Sequence, residues 1–239
     1  MMRRLRAAFG FLTILPLGAD LAAEEMAFGL PFFPLVGFLV GAAGGIAATW
    51  LAPHLGSLAG TALGLLLEIA LTRNLHWDGL LDTIDGLLAF PREKSLAAMR
   101  DPRIGGGAAV GGGICLLLFA ALAAQAPTSS YTLLLAAAGM AGRGAMVLAL
   151  AVFPYGRSEG LGQVFAGRSG AGTLVAILTM LVLVALLGLS GLAASVLALL
   201  LVLLGGGYAV RRFGGFTGDV YGAVEVLTEI LVLLSVAWR

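Results

Sequence analysis

Three stretches of the chain carry no Lys, Arg, Asp or Glu: Met26–Leu67, Ile104–Gly142 and Ser169–Val210. Each is about 40 residues long, and one helical crossing of a bilayer takes roughly 20, so each has room for two helices. Breaker residues divide the apolar sequence into seven predicted spans: Phe28–Trp50, Gly56–Thr72, Gly105–Gln125, Tyr131–Phe153, Ala171–Leu187, Leu192–Val210 and Val220–Trp238. None shows the period-two alternation of a membrane β-barrel. The pattern predicts an all-α, polytopic integral membrane protein, with residues 1–239 as one transmembrane domain.

The connections between spans differ in charge. Ala52–Leu55, Ala126–Ser130 and Gly188–Gly191 are short and uncharged, whereas Pro91–Arg103, Pro154–Arg168 and Arg211–Asp219 are charged. Positive charge collects on the cytoplasmic side of a membrane protein. With the N-terminus cytoplasmic, twelve of the fourteen Lys and Arg fall on that side, Arg143 lies within a span and Arg239 ends outside. The expected location is therefore the inner cell membrane, multi-pass, with the N-terminus in the cytoplasm. Arg3-Arg4-Leu5-Arg6 followed by Ala7–Leu17 has the outline of a secretion signal. Pro16-Leu17-Gly18 interrupts it too early, and a basic interfacial segment is the better reading.

Composition agrees: 60% of residues are apolar, 11% are charged and the mean hydropathy is +1.03. A soluble domain carries roughly 25% charged residues, so a water-facing globule is excluded. A net charge of +1 gives no field to attract nucleic acid. The single cysteine, Cys115, permits neither an internal disulfide nor a cysteine-based metal site. Glycine is abundant and recurs as Gly37, Gly41 and Gly45, spacing that lets membrane helices approach closely.

The informative residues are the acids. Asp78, Asp82 and Asp85 stand at i, i+4 and i+7, which on a helix places them in one stripe about 60° wide. Carboxylates that close repel unless a cation sits among them. With few soft ligands nearby, that cation is a hard one, Mg²⁺ or Mn²⁺, completed by substrate phosphates and water. Glu68, an acid inside a span, belongs either to this metal site or to an ion pair with an arginine such as Arg143. Glu225 and Glu229 stand at i, i+4 in the last span, after a loop containing Gly215, Thr217, Gly218 and Asp219. Glycines there allow a phosphate to approach the N-terminus of the following helix. The cations are Arg100, Arg103, Arg143, Arg157 and Arg168. Arg143 either pairs with a site carboxylate or contacts substrate. His76 either acts as a base or caps a helix. Two acid clusters and several arginines on one membrane face suggest metal-assisted phosphoryl transfer.

His76-x-Asp78-Gly-Leu-x-Asp82-Thr-x-Asp85-Gly, followed by Met99-Arg100-Asp101-Pro102-Arg103-Ile104-Gly105, resembles the cobalamin synthase family (adenosylcobinamide-GDP ribazoletransferases). Phe11–Pro16 resembles the family's opening, and Pro154-Tyr155 with Arg157 and Gly160-Leu161-Gly162 its central loop. Gly215–Asp219 with Gly222-Ala223, Glu225 and Glu229 resembles its last motif. One departure is Arg73-Asn74, where the family usually has small residues, often glycines.

The resemblance implies that adenosylcobinamide-GDP is joined to α-ribazole or its 5′-phosphate, releasing GMP, with Mg²⁺ as cofactor. It implies that Asp78, Asp82 and Asp85 hold the metal, and that Asp219, Glu225 and Glu229 complete the site or position the ribazole. With Glu68 these form the expected metal set. The expected catalytic residues are Asp82, Asp85, His76, Arg143 and Arg157. Those expected to bind substrate are Arg100, Arg103, Tyr155, Gly215, Thr217 and Gly218. Expected partners are the two substrates and the lipid bilayer, with self-association or association with other cobalamin-assembly enzymes left open. A CDP-alcohol phosphotransferase would need Asp-Gly-x-x-Ala-Arg, and Asp85-Gly86 is followed by Leu-Leu-Ala-Phe. A transporter would place charges along a midplane path between broken helices, and only Arg143 lies near a midplane.

Overall fold

The computed structural model describes residues 1–18, 20–157, 161–165 and 169–238. Gly160 of the central motif and Arg168 lie outside the described residues. The helices are α1 (Met2–Leu12), α2 (Ala23–Met26), α3 (Phe33–Leu55), α4 (Ser57–Leu71), α5 (Leu75–Leu88), α6 (Arg92–Ala98), α7 (Gly106–Ala123), α8 (Tyr131–Val152), α9 (Ser169–Leu187), α10 (Leu189–Leu200), α11 (Gly206–Phe213) and α12 (Gly218–Ala237). A single π-turn, Leu201–Gly205, joins α10 to α11 into one 25-residue apolar segment.

The protein is an all-helical, polytopic membrane protein. Among the described residues, five helical segments are long and apolar enough to cross a bilayer: Ala27–Leu55, Gly106–Ala123, Thr128–Val152, Leu189–Phe213 and Gly218–Ala237. The predicted span Ala171–Leu187 forms a shorter apolar helix. The predicted span Gly56–Thr72 becomes α4, which meets α5 at 93°. Length and hydropathy thus support five crossings, or six if the bent pair counts as one, rather than the expected seven.

Helix α8 is the centre of the bundle and is buried along almost its whole length. Its inner residues are small, so neighbours come close to its backbone. Helix α3 presents Gly37, Gly41 and Gly45 to it, and a Cβ on any of them would overlap Gly139, Leu135 or Thr132 of α8. Helix α12 packs on another face of α8, and α5 and α7 pack on α12. The Thr61 hydroxyl of α4 donates to the Ala120 carbonyl of α7 at 2.9 Å, and the Ser190 hydroxyl of α10 donates to the Ser235 carbonyl of α12 at 2.8 Å. Inside a bilayer such groups find partners within the protein.

The elbow between α4 and α5 turns on Arg73 and Asn74, both left-handed at φ 54° and 60°. These are the residues at which the chain departs from the small residues usual in the family it resembles. Asn tolerates this region, whereas Arg pays the full Cβ–carbonyl clash, roughly 1–2 kcal/mol. The N-terminal segment braces the bend: the Ile14 amide donates to the Leu71 carbonyl at 2.8 Å, and Arg73 Nη2 to the Phe11 carbonyl at 3.3 Å. At its far end α5 is held by Arg212 of α11, which donates to the Gly86 and Ala89 carbonyls and lies 3.9 Å over the Phe90 ring. A cation there complements the C-terminal end of α5.

Because Arg73→Gly and Arg73→Ala both remove the side chain, their difference isolates the backbone. The glycine variant should be the more stable by about 1 kcal/mol, read as a higher unfolding midpoint in detergent. An equal or reversed order would show that the elbow is unstrained.

Candidate functional site

Helix α5 presents its three aspartates on one side, as the spacing predicted. Asp78 is exposed, and Asp82 and Asp85 are half-buried. An Asp85 carboxylate oxygen accepts from the Gly105 amide at 2.9 Å. Gly105 is the N-cap of α7, so this acid also satisfies a free amide at a helix start. Two glycines bring α12 against α5. A side chain on Gly79 would meet the Asp219 backbone, and one on Gly222 would meet the His76 backbone. Asp219 thereby joins the stripe, and Asp82 stands in the field of Asp219, Asp78 and Asp85, with Arg157 as the nearby cation.

Arg157 is placed by a crossing of two loops. The Phe216 amide donates to the Pro154 carbonyl at 2.9 Å, and the Gly156 amide donates to the Phe216 carbonyl at 2.7 Å. Gly156 and Gly215 lie backbone to backbone there, too close for any Cβ. Gly214, left-handed at φ 83°, closes the end of α11, as glycine does after many helices. The crossing sets Arg157 Nη2 2.8 Å from Asp219 Oδ2, to which the Thr217 hydroxyl also donates at 3.2 Å. Thr217 caps α12, its hydroxyl accepting from the Val220 amide. Tyr155, Gly218 and Asp219 border a cavity of about 260 Å³ together with His76, Asp78 and Arg157.

The other acids lie elsewhere. Glu68 of α4, His76 of α5, Arg143 of α8 and Glu225 and Glu229 of α12 form a buried cluster. Arg143 Nη1 contacts both Glu225 Oε1 and Glu229 Oε1 and also donates to the Gly139 carbonyl. The Glu68 carboxylate packs on Gly44, within the electrostatic reach of Arg143. His76 Nδ1 is 3.9 Å from Glu225 Oε2. The seven carboxylates expected to form one metal set therefore divide. Asp78, Asp82, Asp85 and Asp219 form one group, and Glu68, Glu225 and Glu229 surround Arg143. Of the two roles left open for Arg143, the structure shows the ion pair.

Arg100 and Arg103 lie exposed in the segment after α6. Arg103 donates to the Asp101 carboxylate at 2.6 and 2.9 Å. These bonds pull the Asp101 carboxyl down to about 2. Among the described residues no three His, Cys, Asp or Glu side chains converge as a ready-made metal cage. Mg²⁺ does not require one, since it is usually bound through one or two carboxylates and completed by waters and substrate phosphates. The Asp78–Asp82–Asp219 region offers that kind of donor set.

Phe11, Phe33, Met146, Leu150, Phe165 and Tyr221 also line the cavity. Sequence reasoning missed them, because one apolar residue among many carries no contrast. For Phe11 alone a signal was available, in the resemblance of Phe11–Pro16 to the family's opening.

Residues 4–237 match the family described as Cobalamin-5-phosphate synthase. The adenosylcobinamide-GDP ribazoletransferase of Desulfitobacterium hafniense (strain Y51) is 37% identical over 98% of this chain and 96% of its own length. That of Desulforamulus reducens is 38% identical over 99% and 96%, and that of Klebsiella pneumoniae (strain 342) is 37% identical over 98% and 99%. No solved structure gives a significant match. A family match over nearly every residue, with relatives of this identity covered almost end to end, places this chain in the cobalamin-5-phosphate synthase family.

Proposed function

We propose that this protein transfers the adenosylcobinamide phosphate of adenosylcobinamide-GDP to α-ribazole or α-ribazole 5′-phosphate. The products are adenosylcobalamin, or its 5′-phosphate, and GMP, and the step assembles the nucleotide loop of cobalamin. Family membership over residues 4–237 carries the reaction. The observation that supports its location is the meeting of the α5 aspartates with Asp219 and Arg157 beside a cavity.

The ribazole hydroxyl attacks the phosphorus bearing the aminopropanol arm, the bond to the bridging oxygen breaks, and GMP leaves with those electrons. Asp78, Asp82 and Asp219, with Asp85 behind them, are the residues that would hold Mg²⁺ against the diphosphate. When bound, the metal supplies positive charge to the phosphate oxygens. Arg157 orients Asp219 and offers its guanidinium to the departing phosphate. His76 and Asp78 are the proton acceptors that border the cavity. The exposed Arg100 and Arg103 are the further cations offered to substrate phosphates, and Gly215, Thr217 and Gly218 shape the start of α12. Glu68, Glu225 and Glu229 hold Arg143 and through it the helices. We further propose that the bundle crosses the inner membrane with its N-terminus and the aspartate stripe on the cytoplasmic side. The basic loops favour that orientation.

Three measurements test this reading. Asp78→Asn, Asp82→Asn and Asp219→Asn should each cut turnover at least a hundredfold while leaving the helical fold intact, and chelation should abolish activity until Mg²⁺ is restored. Arg143→Met should behave oppositely, costing roughly 3–5 kcal/mol of stability because it strands buried carboxylates. A triple Asn variant with normal turnover would remove the stripe from the mechanism.

The protein holds no covalent intermediate in this scheme. GMP should appear only when a ribazole is supplied, and a chiral thiophosphate substrate should invert at phosphorus. Retention, or GMP released from adenosylcobinamide-GDP alone, would point to a two-step route.

For topology, single cysteines at the exposed positions Ser129 and Leu189 in a Cys115→Ala background should react with an impermeant thiol reagent applied to intact cells. Cysteines at Lys94 and Arg100 should react only after lysis. The reverse pattern would invert the orientation.

A further inference from the structure

Phe11, Phe33 and Phe165 come from the end of α1, the start of α3 and the turn Leu161–Phe165, yet their rings meet. Phe11 and Phe33 are stacked with centroids 5.7 Å apart, and Phe165 lies 4.9 Å from the first and 5.6 Å from the second. With Met146 and Leu150 they form an apolar side of the 260 Å³ cavity, whose polar border is His76, Asp78, Arg157 and Asp219. Two polar atoms on that border are buried without a hydrogen-bond partner among the described residues: His76 Nε2 and Arg157 Nε. Buried polar atoms are normally satisfied, and an exception asks for an explanation. A ligand presenting oxygens at that border and an apolar ring among the phenylalanines would supply one.

The volume narrows the choice. At 260 Å³ the chamber lies just under the roughly 300–1,000 Å³ of small-molecule sites, so a corrinoid cannot enter. Two planar groups in the proposed reaction are small enough: the guanine of the nucleotide and the benzimidazole base of the ribazole. Guanine is read through the donors and acceptors on its edges, and Phe11, Phe33, Phe165, Met146 and Leu150 offer none from their side chains. A benzimidazole needs little from them beyond contact, and gains ring–ring and sulfur–ring attraction.

We infer that this chamber is the α-ribazole site, with the base held against Phe11, Phe33 and Phe165 and the ribose turned toward His76, Asp78 and Arg157. The assignment rests on the reaction proposed above. It gives that reaction its geometry: the attacking hydroxyl stands beside the aspartate stripe while the corrinoid stays outside the chamber.

The test is equilibrium dialysis of the full-length protein in detergent, with labelled α-ribazole and, separately, adenosylcobinamide-GDP. Phe11→Leu and Phe165→Leu remove ring contacts and keep the chamber apolar. Each should raise the α-ribazole Kd about threefold to tenfold and leave the adenosylcobinamide-GDP Kd unchanged, which also shows that the variant is folded. Weakening of adenosylcobinamide-GDP with α-ribazole unaffected would give the chamber to guanine and overturn the proposal. Equal weakening of both ligands, or of neither, would overturn it too. GMP release by the unmodified protein is measured in parallel. If α-ribazole binding shifts as expected and no GMP forms, the site stands and the transfer reaction falls.

Discussion

A guanidinium placed in the middle of a membrane helix must find its counter-charge inside the protein, because lipid offers none. Arg143 sits on the most buried helix of this bundle, and its partners come from its neighbours: Glu225 and Glu229 from α12 directly, and Glu68 from α4 within electrostatic reach. His76 of α5 approaches Glu225 from the other side. One cation therefore ties four helices together at a fixed depth. Tight glycine contacts against α8 and α5 bring these helices near enough for the charges to meet. The requirement is mutual, since none of the three carboxylates could remain in that position without the arginine.

The cluster also fixes the shallower chemistry. Asp219 and Glu225 share α12, six residues apart, so they differ by roughly 9 Å in height and about 120° in direction. Clamping Glu225 to Arg143 thus turns Asp219 away from the buried cluster and toward α5, where Arg157 meets it. Likewise, His76 anchored near Glu225 sets the rotation of α5 and hence the side to which Asp78, Asp82 and Asp85 face. Deep charges that cancel one another do structural work. Acids nearer the surface, Asp78 and Asp219, border the cavity and remain open to the diphosphate and metal proposed for it.

Much of this was legible in the sequence. The apolar spans between breaker residues marked α3, α7, α8 and α12 to within about five residues, the spacing of Asp78, Asp82 and Asp85 marked their shared face, and Gly37, Gly41 and Gly45 marked a close helix contact. The division of the carboxylates was legible only in part. Periodicity relates residues on one helix, and it already separates Asp219 from Glu225. It says nothing of how deep one helix lies against another, so the pairing of Glu68 and Glu229 around Arg143 stayed one of two alternatives. The aromatic chamber was out of reach. Phe11, Phe33 and Phe165 belong to three segments brought together only by folding, and each is one apolar residue among many. The sharpness of the elbow was hidden for a different reason, because Arg73 and Asn74 carry no glycine to announce a left-handed turn.

That elbow is what lets one continuous stretch of chain serve both layers. A straight helix over residues 57–88 would be roughly 48 Å long, well beyond the ~30 Å hydrocarbon core. Its acids would then be strung along a single line, with Glu68 and Asp85 about 25 Å apart in height. The 93° bend instead leaves Glu68 at the end of α4 beside Arg143 and swings α5 aside, so that His76 reaches the buried cluster while Asp78 borders the cavity. Strain at Arg73 is the cost of that turn, and the bracing by Phe11 and Ile14 offsets part of it. The same N-terminal segment contributes a ring to the chamber, so the contacts that hold the bend also build the apolar side of the site.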